Sequence, residues 1–140
     1  MTVSWTAADA TALAEIIRLA LAEDIGPGDL TTNLLVPATA TARAAIVVRQ
    51  AGVIAGLPAA EQAYRAVGWM VPSDLKAPDG AHVSVGATVA VVSGTARSLL
   101  TGERLALNLL GRLSGIASLT RQYVDAVAGT RAGIFDTRKT

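Results

Sequence analysis

The chain has 140 residues, of which 51% are hydrophobic and 16% charged, with a net charge of +1. That apolar content supports a packed core rather than disorder, and 4% aromatics on a nearly neutral chain argue against a nucleic-acid-binding surface. No cysteine and a single histidine, His82, exclude disulfides, a thiol nucleophile and a histidine-rich metal cluster within this sequence. Residues 1–5 lack the basic start and apolar core of a secretion signal, and no run is long enough to span a bilayer, so a soluble cytoplasmic protein is expected.

The first predicted element is a helix from Thr6 to Asp24. Thr6 is its cap and Asp9 lies in the first turn, where the helix dipole favours a negative charge. Leu13, Ile16, Ile17 and Ala20 form the expected buried face, and Glu15 and Arg18 are spaced for a weak ion pair. The stretch Glu23 to Thr32 follows, with Gly26, Pro27 and Gly28 forcing a turn and Asp29 or Thr31 available to cap a short helical turn. No lysine follows these glycines and no strand precedes them, which favours a structural elbow over a phosphate-binding loop.

Thr41 to Arg49 reads as a strand centred on Ile46, Val47 and Val48. Ala51-Gly52 is expected to turn it into Val53–Gly56 as a hairpin. Pro58 starts a short helix over Ala59 to Val67, with Ala60, Tyr64 and Val67 on one side. Trp69-Met70-Val71 is a further strand candidate, and Pro72 to Gly80 is expected to be loop. The spacing of Gly80, Val83, Gly86, Val89 and Val91 suggests short strands joined by tight turns in a small sandwich. It resembles the hammerhead of lipoyl and biotinyl carrier domains, but no lysine lies between Asp79 and Arg97 to carry a cofactor. His82 sits beside a turn and is expected at the surface.

Arg97 to Leu113 is the most informative predicted helix. Leu99, Leu100, Leu105, Ala106, Leu107, Leu109, Leu110 and Leu113 surround most of its circumference, so burial on most sides is expected. Thr101, Arg104, Asn108, Gly111 and Arg112 fall in one narrow polar stripe, with Glu103 pointing away. The stripe faces either water or a subunit contact or ligand cleft. Ser114-Gly115 is expected to end this helix and start another over Ile116 to Ala128, with Ile116, Leu119, Tyr123 and Val127 as its core face and Gly129 at its end.

The sequence closes with Ala132-Gly133-Ile134-Phe135-Asp136, read as a short buried strand, and Thr137-Arg138-Lys139-Thr140. Two adjacent cations at the mouth of a buried strand are costly without an anionic partner, and ligands of α/β folds gather at the carboxyl ends of strands. The terminal cluster therefore reads as an anion site, the alternative being a charged tail. A lone parallel strand cannot stand by itself, and a barrel of that kind needs roughly 200 residues or more. A fragment, or a missing C-terminal part, is expected.

Three motifs together resemble one family. They are the elbow Glu23 to Thr32, the segment Glu103-Arg104-Leu105-Ala106-Leu107-Asn108-Leu109-Leu110 continuing Arg112-Leu113-Ser114-Gly115-Ile116-Ala117, and the terminal Asp136-Thr137-Arg138-Lys139-Thr140. In this order they resemble the nicotinate-nucleotide pyrophosphorylase, or quinolinate phosphoribosyltransferase, family, with Ser118 standing where the family often has threonine. The resemblance implies an α+β N-terminal sandwich domain over residues 1–110, a small hammerhead-like β sandwich plus helices, and the first elements of a TIM-like α/β barrel over residues 111–140. It also implies a homodimer, possibly a higher oligomer, with active sites at the interface. The implied reaction of de novo NAD synthesis converts quinolinate and phosphoribosyl pyrophosphate, with magnesium, to nicotinate mononucleotide, pyrophosphate and CO2. The implied substrate-binding residues are Arg104, reaching the neighbouring subunit's site, and Thr137, Arg138 and Lys139. Magnesium ligands and catalytic acids are expected in the absent barrel, so the fragment alone is expected to be inactive. The alternatives are a molybdenum-transport-associated paralogue and a non-catalytic dimerisation or hammerhead module.

Overall fold

A computed structural model describes residues 6–68 and 74–137. The predicted strand Trp69-Met70-Val71 lies outside them. The first helix, α1 (Ala7–Ile25), opens on a reciprocal cap: Asp9 N donates to Thr6 Oγ1 at 3.2 Å and Thr6 N donates to Asp9 Oδ2 at 2.8 Å. Arg18 holds Glu15 through two bonds at 2.9 and 2.7 Å, as its spacing predicts. Leu13 and Ile17, one turn apart, are buried, whereas Ile16 is 53% exposed. The expected four-residue face is thus too wide, because among the described residues α1 packs chiefly against α3 and α4 on one side. Asp29, rather than Thr31, caps the short α2 (Leu30–Leu35), accepting from Thr32 N at 3.0 Å.

Strand β1 (Thr41–Val47) runs antiparallel to β5 (Thr88–Thr95), with Thr41 opposite Thr95 and Ile46 opposite Ala90. A register shift at Ile46/Val47 ends regular pairing. The expected hairpin with the next strand does not form. Instead β2 (Gly52–Val53) leaves for a second sheet, pairing with β4 (His82–Val83) so that Val53 faces His82. β3 (Asp74–Leu75) lies inside the stretch expected to be loop. It adds to the open edge of β5 with Asp74 opposite Val91, giving the order β1-β5-β3. An unpaired central strand edge is costly to leave bare, and β3 satisfies it. His82 is exposed, as expected.

The helix α3 (Leu57–Ala66) has Pro58 in its first turn, and Ala60, Ala63 and Tyr64 are buried. Its cap residue is Gly56, which has φ +96 and no side chain to accept a hydrogen bond. Asp79 takes that role from across the fold, accepting from Gly56 N at 2.8 Å and Leu57 N at 3.0 Å. Removing a carboxylate cap costs about 1 kcal/mol. Asp79→Ala is therefore expected to lower the thermal midpoint by several degrees, read by circular dichroism; an unchanged midpoint would show that water replaces the carboxylate.

The long helix α4 (Ala96–Ala126) is one element of 31 residues, so the expected break at Ser114-Gly115 is absent. Both serines of this stretch are used as pins. Ser118 Oγ accepts from Val53 N at 2.8 Å, and Ser114 Oγ accepts from Ala55 N at 3.0 Å and donates to Ala55 O at 3.1 Å. One helical turn nearly matches the two-residue repeat of a strand. A pair of hydroxyls spaced i,i+4 thus serves the backbone of Val53 and Ala55 as a neighbouring strand would. The approach is close enough that a Cβ at Gly52 would lie 2.5 Å from Ser118 Oγ. Leu99, Leu105, Ala106 and Leu110 join Leu13, Ile17, Leu57, Tyr64, Val89 and Val92 in one core.

Burial of α4 is one-sided. Leu100 and Leu107 are 49% and 40% exposed, against the expectation of cover on most sides. Ile116, Leu119 and Tyr123, the expected core face of a second helix, are each more than half exposed, because the described contacts of that end are made by β2 on its Ser114 and Ser118 side and leave these three side chains uncovered. The expected strand Ala132–Asp136 is irregular and exposed, Phe135 at 86%. No described strand lies beside it to take up its backbone groups. Among the described residues no helix is long and apolar enough to cross a membrane.

Candidate functional site

The polar stripe of α4 meets the elbow between α1 and α2. Three side chains at spacing i, i+4 and i+7 make the contact. Arg97 Nε and Nη2 donate to the α2 carbonyls of Val36 and Asn33 at 2.8 and 2.9 Å. Thr101 Oγ1 donates to Asp29 Oδ2 at 3.0 Å. Arg104 Nη1 donates to Asp24 Oδ1 at 2.7 Å. The Arg97 and Thr101 contacts satisfy the open ends of α2, a carbonyl terminus and its cap. The Arg104 contact joins two charges that are unequally placed, with Arg104 74% exposed and Asp24 23%.

The elbow's own amides are turned inward. Gly26 N donates to Ala22 O at 3.2 Å and Gly28 N donates to Ile25 O at 3.0 Å, so these glycines present no amide cradle to a phosphate. This agrees with the expectation of a structural elbow. Asp29 is held below the ordinary carboxylate range, chiefly by its hydrogen bonds from Thr32, then by Thr101 and the Arg104 charge. It stays ionised, and keeps the elbow on α4, well into mild acid.

Asn108 and Arg112, further along the stripe, are exposed, and Glu103 lies on the other side of the helix. There it lines an open groove of about 870 Å³ between β1 and α4, walled by Ile46, Val48, Leu100 and Leu107. Arg104 takes no part in that groove. Of the four substrate-binding candidates, Arg104 and Thr137 are described and both are exposed; Arg138 and Lys139 lie outside the described residues. From Arg104 the helix continues to Ala126, a rise of about 33 Å. Among the described residues no group of three His, Cys, Asp or Glu side chains gathers to hold a metal ion.

Asp24 and Asp29 were not candidates on sequence grounds. One signal for Asp24 was present: it sits in the last turn of α1, where the dipole disfavours a carboxylate, and no basic residue of that turn offsets it.

Residues 29–114 match the family Quinolinate phosphoribosyl transferase, N-terminal domain. The chain is 43% identical over 131 residues to the nicotinate-nucleotide pyrophosphorylase (carboxylating) of Mycobacterium leprae, covering 90% of this chain and 45% of that protein. It is 36% identical over 126 residues to a quinolinate phosphoribosyltransferase (decarboxylating) of Nicotiana glauca, covering 89% and 35%. The crystal structure of NadC from Streptococcus pyogenes superposes with a TM-score of 0.91 at 35% identity, over 99% of this chain and 48% of that one. The chain thus spans less than half the length of these relatives. Its α+β fold and its match over most of its residues place it in the quinolinate phosphoribosyl transferase family, as the N-terminal domain.

Proposed function

We propose that this chain is the N-terminal half of a quinolinate phosphoribosyltransferase, joining quinolinate to phosphoribosyl pyrophosphate and releasing pyrophosphate and CO2 to give nicotinate mononucleotide. The observation that carries this reading is Arg104: an exposed arginine on a rigid helix, held by one terminal nitrogen and otherwise presented outward. Quinolinate is a small rigid dianion. A guanidinium grips a carboxylate through two parallel charge-assisted bonds. In this proposal Arg104 and Arg138 bind the two carboxylates, Lys139 adds a compact positive charge and Thr137 an orienting hydroxyl. Fixing the ring by its carboxylates aims the pyridine nitrogen at the sugar carbon that loses pyrophosphate. Positive charge develops at that carbon, and this chain offers no assigned acid to stabilise it. Magnesium would arrive with phosphoribosyl pyrophosphate; among the described residues no three His, Cys, Asp or Glu side chains gather to hold it.

We further propose a homodimer in which Arg104 completes the neighbouring subunit's site. Support comes from the unbroken α4, which carries the chain about 33 Å away from Arg104 before the Thr137–Lys139 cluster is reached. No observation favours the paralogue or the hammerhead module over this reading.

The test is product formation. The full-length enzyme is expected to release CO2 and nicotinate mononucleotide in equal amounts from quinolinate and phosphoribosyl pyrophosphate, whereas the 140-residue chain alone gives neither. Turnover by the chain alone, or none by the full-length enzyme, would overturn the proposal.

A further inference from the structure

Asp24 stands where helix physics disfavours a carboxylate. It is in the last turn of α1, at the negative end of the dipole, and that turn contains no basic residue. Its partner arrives from 80 positions along the chain, Arg104 on α4. The pair is lopsided: the acid is 23% exposed and the arginine 74%. So exposed a cation contributes little to stability. The contact therefore reads better as a device for aiming the arginine than for holding the fold. One turn earlier on α4, Thr101 docks Asp29 at 3.0 Å, and Arg97 grips the α2 carbonyls. The elbow that bears Asp24 is thus already fastened to the helix without Arg104. The Asp24 bond uses Nη1 alone. The Nε–Nη2 edge, whose fork matches a carboxylate, makes no hydrogen bond to a described residue.

We propose that Asp24 is a positioning residue for Arg104, holding the guanidinium by Nη1 and turning its Nε–Nη2 edge outward to meet a substrate carboxylate. This rests on the reading that Arg104 contacts quinolinate. Asp24 touches no substrate itself. It fixes which edge of the arginine is free and where that edge lies, and so removes the rotamer search that an unheld arginine would undergo on binding.

The experiment is a double-mutant cycle in the full-length enzyme. Asp24→Ala is expected to raise the quinolinate KM about tenfold, with kcat and the phosphoribosyl pyrophosphate KM within about twofold of the parent. Asp24→Asn, which keeps the shape and an acceptor, is expected to fall between, and serves if the alanine variant does not fold. In an Arg104→Ala background, Asp24→Ala is expected to add no further rise, since a residue acting only through Arg104 has nothing left to position. An equal rise in both backgrounds, or no rise when Arg104 is present, would overturn the positioning role while leaving the arginine's own role intact. If Arg104→Ala itself leaves the quinolinate KM unchanged, the functional reading fails and this proposal falls with it.

Discussion

Arg104→Ala in the full-length enzyme is expected to raise the quinolinate KM about a hundredfold, the effect of losing two charge-assisted hydrogen bonds to one carboxylate. Arg104→Lys should recover little of it. An ammonium supplies a point charge but no planar fork, and its shorter reach cannot keep both the Asp24 contact and the substrate contact. The phosphoribosyl pyrophosphate KM is expected to move little, because the proposal places Arg104 on the pyridine dicarboxylate. The fold is expected to survive. The Arg104–Asp24 pair is largely exposed on the arginine side, and such pairs contribute at most about 1 kcal/mol. Arg97 and Thr101 still dock the elbow. Steady-state kinetics beside a thermal melt separate the two roles. A lower melting point with an unchanged KM would make Arg104 a fastening for the elbow and nothing more.

What the sequence discloses about this molecule depends on distance along the chain. Local features were legible: Thr6 and Asp9 at the start of α1, Asp29 at the start of α2, Pro58 in the first turn of α3, and the Glu15–Arg18 pair. Each is a matter of three or four residues and of chemistry confined to one turn. The polar stripe of α4 was legible too, because helical periodicity puts Thr101 and Arg104 on one side whatever surrounds them. Its partner was not. Nothing in residues 97–112 says that a carboxylate from the end of α1 will meet Arg104.

The same limit explains the misplaced elements. Ser114-Gly115 reads as a helix end from propensity, but Ser114 and Ser118 are held by the backbone of Val53 and Ala55, more than fifty residues earlier. Val53 pairs with His82 rather than with β1, a choice made by the two sheets and not by the turn at Ala51-Gly52. Ile116, Leu119 and Tyr123 show the periodicity of a core face, but periodicity marks a side of a helix and not whether anything covers it. The run Ala132–Asp136 has strand composition and no described strand to pair with. The family was legible because its motifs are sets of residues in order, and the comparison over residues 29–114 agrees with it.

The central claim is that Arg104 and the Thr137–Lys139 cluster are two halves of one dicarboxylate clamp, contributed by different subunits. Mixing two full-length variants, each nearly without turnover at quinolinate concentrations near the parent KM, tests it most directly. Arg104→Ala and Arg138→Ala subunits, unfolded together and reassociated at equal concentration, form mixed dimers in half of all pairings. Each mixed dimer has one site with both arginines and one with neither. Nicotinate mononucleotide formation is then expected to recover to about a quarter of the parent activity, from near zero in either variant alone. Activity in the mixture no higher than in the separate variants would contradict the account, because it would place both arginines in the site of a single subunit.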